Sequence, residues 1–326
     1  MEKRNFYTQE DSYKTFLWAL LLPQAVSVVL ALVFSFFYTK EQLSSSLIYI
    51  FIVTILAQSC FAFIIYYYNK KQNINIKTAI KFIKPINLKN VFICILISIV
   101  AVFGFVNFIN MISNFLTKIG FNQPEISLPI NTFYWFIINI ILLAIIPAIM
   151  EEIIFRGMIY NGLREKGVII ATLFSAIMFA IIHLSVKQLI FPFVMGIVFC
   201  LVLEKTGSII YTMIVHFCNN FIVLLISYIS TKVGYNFLAI NTGSIFMKIL
   251  VTLIAGIALI LIWLLIKLLK AKETDKTIKT DTQILKDQTN NLTNNNNKVQ
   301  YNKCLIGSLL CGVIIWFVYA LSELIL

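Results

Sequence analysis

Hydrophobic residues fall along this chain in nine apolar segments separated by polar stretches. The segments cover about residues 15–38, 46–68, 91–116, 133–155, 168–185, 188–203, 207–230, 246–268 and 304–326. About 20 residues cross a bilayer as a helix, so most of these are long enough to span. The sixth contains Pro192 and Gly196 and is short; it is expected to tilt, to thin the bilayer or to be sheltered by neighbours. The first apolar stretch runs uncharged from Thr15 to Thr39 after a segment of mixed charge. That is too long for a signal-peptide core, so it reads as a spanning helix and no cleavable leader is expected. Residues 270–303 break the pattern. They hold no aromatic residue before Tyr301 and carry an Asn tract, Asn294 to Asn297, so they read as a flexible cytoplasmic linker. The Asn-Leu-Thr triplet at 291–293 matches a glycosylation acceptor that a cytoplasmic segment would not use. There is no internal repeat and no Gly-rich phosphate loop.

Composition agrees with the pattern. Hydrophobic residues make up 60% of the 326 positions, charged residues 12%, and the mean hydropathy is +0.90. Those values exclude a soluble globular enzyme, a disordered chain and a disulfide scaffold. The expected fold class is all-α, a polytopic transmembrane helical bundle. The six cysteines (Cys60, Cys94, Cys200, Cys218, Cys304 and Cys311) form no CxxC pair and read as small apolar side chains.

The formal charge of +12 reflects orientation. With the N-terminus in the cytoplasm and sides alternating, 21 of the 26 Lys and Arg residues fall inside and 5 outside, as the positive-inside rule requires. No Arg-rich helix or basic–aromatic run supports nucleic-acid binding. The basic loop at 69–90 has two readings, orientation alone or binding of anionic lipid headgroups.

The chemistry lies in the few polar groups inside the apolar segments. Glu151 and Glu152 close the fourth, with Arg156 just after; His183 ends the fifth; His216 sits within the seventh, followed by Asn219 and Asn220. Each intramembrane charge costs roughly 2.5–3.5 kcal/mol, so three unpaired central charges would cost roughly 8–10 kcal/mol. Snorkelling and a structural ion pair account for Arg156 and one glutamate. They account poorly for both glutamates together with both histidines. Glu152 and Arg156 are four apart and meet one turn along a helix. Glu151 points about 100° away. One carboxylate can therefore be held by the cation while the other acts as a general base. His216 and Asn220 share a helix face, from which both can donate to one developing oxyanion. Asn219 points off that face. Phe179 lies one turn before His183 and reads first as core.

Glu151-Glu152-x-x-x-Arg156, Phe179-x-x-x-His183 and His216-x-x-x-Asn220, in this order on successive apolar segments, resemble the CPBP family of CAAX proteases and bacteriocin-processing enzymes. This includes the type II CAAX prenyl endopeptidases, or Abi group. The resemblance covers about residues 133–225. It implies an eight-helix intramembrane endopeptidase core within residues 1–269, with a site open to the cytoplasmic side. By the resemblance, Glu151 is the catalytic carboxylate and His183 helps activate water. His216 and Asn220 form the oxyanion hole, and Glu152, Arg156 and Phe179 support the site. A metal-free glutamate mechanism is favoured over zinc, which Glu151, His183 and His216 would hold. The linker and a ninth helix at 304–326 go beyond the resembled fold.

The Lys-, Asn- and Ile-rich composition suggests an AT-rich bacterial genome. The expected substrate is thus a membrane-associated protein or peptide precursor rather than a prenylated chain, and the expected location is the cytoplasmic membrane. Two competing readings are an idle protein of this fold serving bacteriocin self-immunity or scaffolding, and a transporter with a proton relay. Against the transporter, there are no matched repeats or paired broken helices.

Overall fold

Six of the helices begin where a Ser, Thr or Asn side chain stands immediately before an apolar run and accepts a hydrogen bond from the first turn: Thr8, Ser46, Asn87, Thr132, Ser208 and Ser244. These caps satisfy backbone donors that the helix itself leaves unpaired. A computed structural model describes residues 3–39, 42, 46–82, 86–121, 128–235, 243–271 and 295–325. The helices are α1 (Gln9–Ser35), α2 (Leu47–Lys71), α3 (Leu88–Lys118), α4 (Phe133–Lys166), α5 (Val168–Ile181), α6 (Ile190–Thr206), α7 (Ile209–Val233), α8 (Ile245–Leu268) and α9 (Asn295–Ile325). The expected linker lies mostly outside the described residues, as does the 291–293 triplet. Residues 295–303, expected as linker, form the start of α9.

This is a multi-pass membrane protein. Among the described residues, α1 to α4, α7, α8 and the Lys303–Ser322 part of α9 are long and apolar enough to cross a bilayer. Large apolar side chains such as Val29, Leu32, Phe103, Ile257 and Trp263 stand on their outer faces, where lipid replaces water as solvent. The short sixth segment is the 17-residue α6. The fifth is shorter than its apolar run suggests. Leu184 takes a φ of 47°, left-handed backbone that ends a helix, and α5 stops at Ile181 after 14 residues. At 1.5 Å per residue α5 extends only about 21 Å, so His183 lies just past its end.

α7 runs through the bundle, packed against α3, α4 and α6. Ser98 Oγ of α3 donates to the Val215 carbonyl of α7 at 3.0 Å. α8 lies along α3, α5 along α6, and α1 against α2 and α4. The extra helix α9 docks on α1 and α5. There Gly312 faces Phe16, and Tyr319 Oη donates to Gln24 Oε1 at 2.7 Å. The six cysteines are free thiols, with Cys60, Cys94 and Cys200 buried.

The tightest crossing that bears on the site is α5 with α6. A Cβ on Gly196 would lie 2.9 Å from both Cα and Cβ of Ala176. Gly196→Ala is expected to cost about 1–3 kcal/mol, because backbone must move to admit one methyl. Thermal unfolding in detergent measures this; a wild-type midpoint would contradict the close crossing.

Candidate active site

Glu151 and Glu152 end an α-helical stretch of α4, Ile146–Glu152, that has π-helical turns on both sides, Ile140–Ile145 and Ile153–Tyr160. Sequence supplies a reason for the first. Pro147 has no N–H, so the carbonyl four residues earlier, Leu143, loses its α-helical donor, and widened turns commonly form where a helix ladder is interrupted. Asn220 Nδ2 donates to that Leu143 carbonyl at 3.1 Å. In the second, Ser175 Oγ donates to the Phe155 carbonyl at 3.0 Å and Ser12 Oγ to Ile159 at 2.9 Å. Side chains from α7, α5 and α1 thus hold both distorted turns in place.

At the centre is Glu152, fully buried. Its Oε1 accepts from Arg156 Nη1 at 3.0 Å and from His216 Nδ1 at 2.9 Å. A carboxylate shared between two donors in a low-dielectric interior is a charge-assisted anchor. Arg156 is also fully buried and donates from Nη2 to the Gly196 carbonyl at 3.3 Å. Its guanidinium lies 4.4 Å from the Phe179 ring centroid and 4.7 Å from that of Phe199, a cation–π sandwich. Phe199 also stacks on the His216 ring, with centroids 5.0 Å apart and planes inclined by 19°. Phe179 meets His183 and His216 edge-on. It is therefore core and site wall together.

Glu151 stands apart from that network. Its Oε2 is 3.9 Å from His216 Nε2, and its side chain is 12% exposed. His183 Nδ1 lies 2.8 Å from the Phe179 carbonyl. A carbonyl only accepts, so Nδ1 carries the hydrogen and Nε2 of the neutral ring keeps its lone pair. The backbone N–H of His183 goes to Ala180 instead, which leaves the Phe179 carbonyl for the ring.

Several sequence expectations acquire geometry here. Glu152 and Arg156 pair as their spacing predicts, and His216 faces the two glutamates. His216 and Asn220 share a helix face but have separate partners: His216 turns to Glu152 and Asn220 to Leu143. An amide nitrogen has two hydrogens, so Asn220 keeps one to offer. Asn219 is buried with Oδ1 unpartnered. Phe199 and Gly196 escaped the sequence reading because neither is polar; the only hint was the glycine in a short segment. Among the described residues, no three His, Cys, Asp or Glu side chains gather as a metal-binding group.

Residues 133–222, the segment that builds most of this site, match the family described as type II CAAX prenyl endopeptidase Rce1-like. The chain is also 35% identical over 88 residues to a Bacillus subtilis (strain 168) protein named "Putative membrane peptidase YdiL". That alignment covers 26% of this chain and 36% of the relative, so the chain spans about a third of the length of the protein it matches. No solved structure matches it.

Proposed function

We propose, from the premise that residues 133–222 carry the CPBP/CAAX-protease sequence, that this protein is an intramembrane endopeptidase of the glutamate type. The observation that carries the reading is Glu152 Oε1 tied at once to Arg156 and His216, with Glu151 left beside His216 and partly accessible. Glu152 orients the imidazole as the buried acid of a catalytic triad does. Glu151, with no anchoring cation of its own, is the general base.

In the reaction, Glu151 removes a proton from a water that His183 Nε2 helps to hold. The water oxygen bonds to the peptide carbonyl carbon, and the electron pair moves to the carbonyl oxygen. Asn220 donates to that oxyanion. His216 can donate from Nε2 as well when it is doubly protonated, since its Nδ1–H is committed to Glu152. Collapse of the tetrahedral species breaks the C–N bond, and Glu151 returns the proton to the leaving amine. No serine or cysteine nucleophile is required. The substrate is a membrane-associated protein or peptide precursor, reached from the cytoplasmic side of a bacterial membrane, with the N-terminus inside.

The test compares membrane-protein and secreted-peptide termini in cells expressing wild type or Glu151→Gln at equal levels. Termini present only with wild type are expected, and they identify the substrate. Identical termini, with both proteins folded, would favour an idle scaffold or self-immunity protein instead.

A further inference from the structure

Beside α4 is a cavity of about 540 Å³. One wall is α2, with Ala62, Ile65 and Tyr66; the other is Met150 and Ile153 of α4, the residues that bracket Glu151 and Glu152. The chain before α1 closes the end nearest the lysines. Arg4 N donates to the Asn73 carbonyl at 2.9 Å and Asn75 N to the Arg4 carbonyl at 2.8 Å, a short parallel bridge. Tyr7 Oη donates to Asn69 Oδ1 at 2.6 Å and pins the same segment to α2. The strap therefore holds Lys3 in the cavity lining, to which α2 contributes Lys70.

The charge in that lining has one sign. No acidic residue lines the cavity. Among the described residues, the acids at the start of α1 are already engaged: Asp11 with Arg4, Thr8 N and Tyr68, and Glu10 with Lys14. Lys70 lies over the Tyr66 ring and donates to its hydroxyl at 3.1 Å, a Lys–Tyr pairing suited to the membrane–water interface. Apart from Asn69 and Asn73, the rest of the lining is mainly apolar. A cationic rim over an apolar trough between two membrane helices has the shape and polarity of a phospholipid with an anionic head.

We propose that this cavity binds an anionic phospholipid, its phosphate between Lys3 and Lys70 and an acyl chain along Ile65, Met150 and Ile153. The site stands independently of the protease reading. The occupant is a lipid rather than free phosphate because the apolar walls are far larger than a phosphate needs, and they continue into the bilayer face of α2, where Phe63 and Tyr66 are exposed.

The test is native mass spectrometry of the full-length protein in detergent, titrated with phosphatidylglycerol or phosphatidylcholine. Selective retention of phosphatidylglycerol is expected. The Lys3→Gln/Lys70→Gln double variant should bind it about thirtyfold more weakly. Lys71→Gln/Lys77→Gln, which removes two lysines outside the cavity, should bind as wild type does. Ala62→Phe should fill the trough and weaken binding with the charge unchanged; its thermal midpoint checks that it folds. Equal losses in both lysine pairs would overturn the proposal in favour of diffuse surface attraction. Displacement of the lipid by inorganic phosphate would overturn it in favour of a phosphate site, and displacement by a cleaved peptide in favour of a substrate subsite. Glu151→Gln should retain phosphatidylglycerol fully, so failure of the lipid proposal and failure of the protease reading are read separately.

Discussion

Arg156→Leu is expected to destabilise the protein by about 3–5 kcal/mol, the range for a buried pair that loses one member. Both side chains of the Arg156–Glu152 pair have no accessible surface. Removing the guanidinium leaves the Glu152 carboxylate to His216 alone, takes the side-chain donor from the Gly196 carbonyl, and empties the slot between Phe179 and Phe199. The companion variant separates these causes. Glu152→Gln/Arg156→Leu removes both charges, while the Gln carbonyl can still accept from His216 Nδ1. It is expected to be distinctly more stable than Arg156→Leu alone, because the largest part of the single-variant cost is the uncompensated charge. Chemical unfolding in detergent micelles gives both values. A double variant as unstable as the single one would show that packing between the two phenylalanines, not charge, accounts for the loss.

Glu151→Gln has the largest expected effect on rate. General-base catalysis contributes typically 10²–10⁴-fold, and a loss of about that size in kcat is expected with KM nearly unchanged. Stability should stay near wild type, since the Glu151 side chain is 12% exposed and its nearest approach to His216, 3.9 Å, is longer than a hydrogen bond. Glu152→Gln contrasts with it, because Glu152 is the buried anchor of both Arg156 and His216. It should lower both the unfolding midpoint and kcat. The pair of variants assigns the two adjacent carboxylates their different roles. Equal rate losses and equal stabilities would contradict that division.

How far the site could be read in advance depended on spacing. Glu152 and Arg156 meet because residues four apart share a helix face, and the same rule sets His216 and Asn220 on one face of α7. Spacing does not say which partner a side chain chooses once several are within reach. The two side chains on that face each take a different protein partner, His216 Nδ1 the Glu152 carboxylate and Asn220 Nδ2 the Leu143 carbonyl. The second depends on Pro147, whose missing N–H was visible in the sequence. That Asn220 of a different helix would supply the donor was not.

The apolar periodicity by itself determined that this is a helical membrane protein, where its nine segments lie, and which few polar groups would be costly enough in lipid to need a purpose. Local chemistry determined six of the helix starts as well, since each Ser, Thr or Asn cap satisfies donors within its own turn. Only the tertiary structure decided that α5 stops short and leaves His183 just past its end, that Phe199 stacks on both Arg156 and His216, that α9 packs on α1 and α5, and that the N-terminal strap brings Lys3 to the same cavity as Lys70. All but the first, which ends in the local turn at Leu184, arise from contacts between residues distant in the sequence. A one-dimensional hydrophobic pattern records how far each segment is driven out of water, but not which neighbour it meets there.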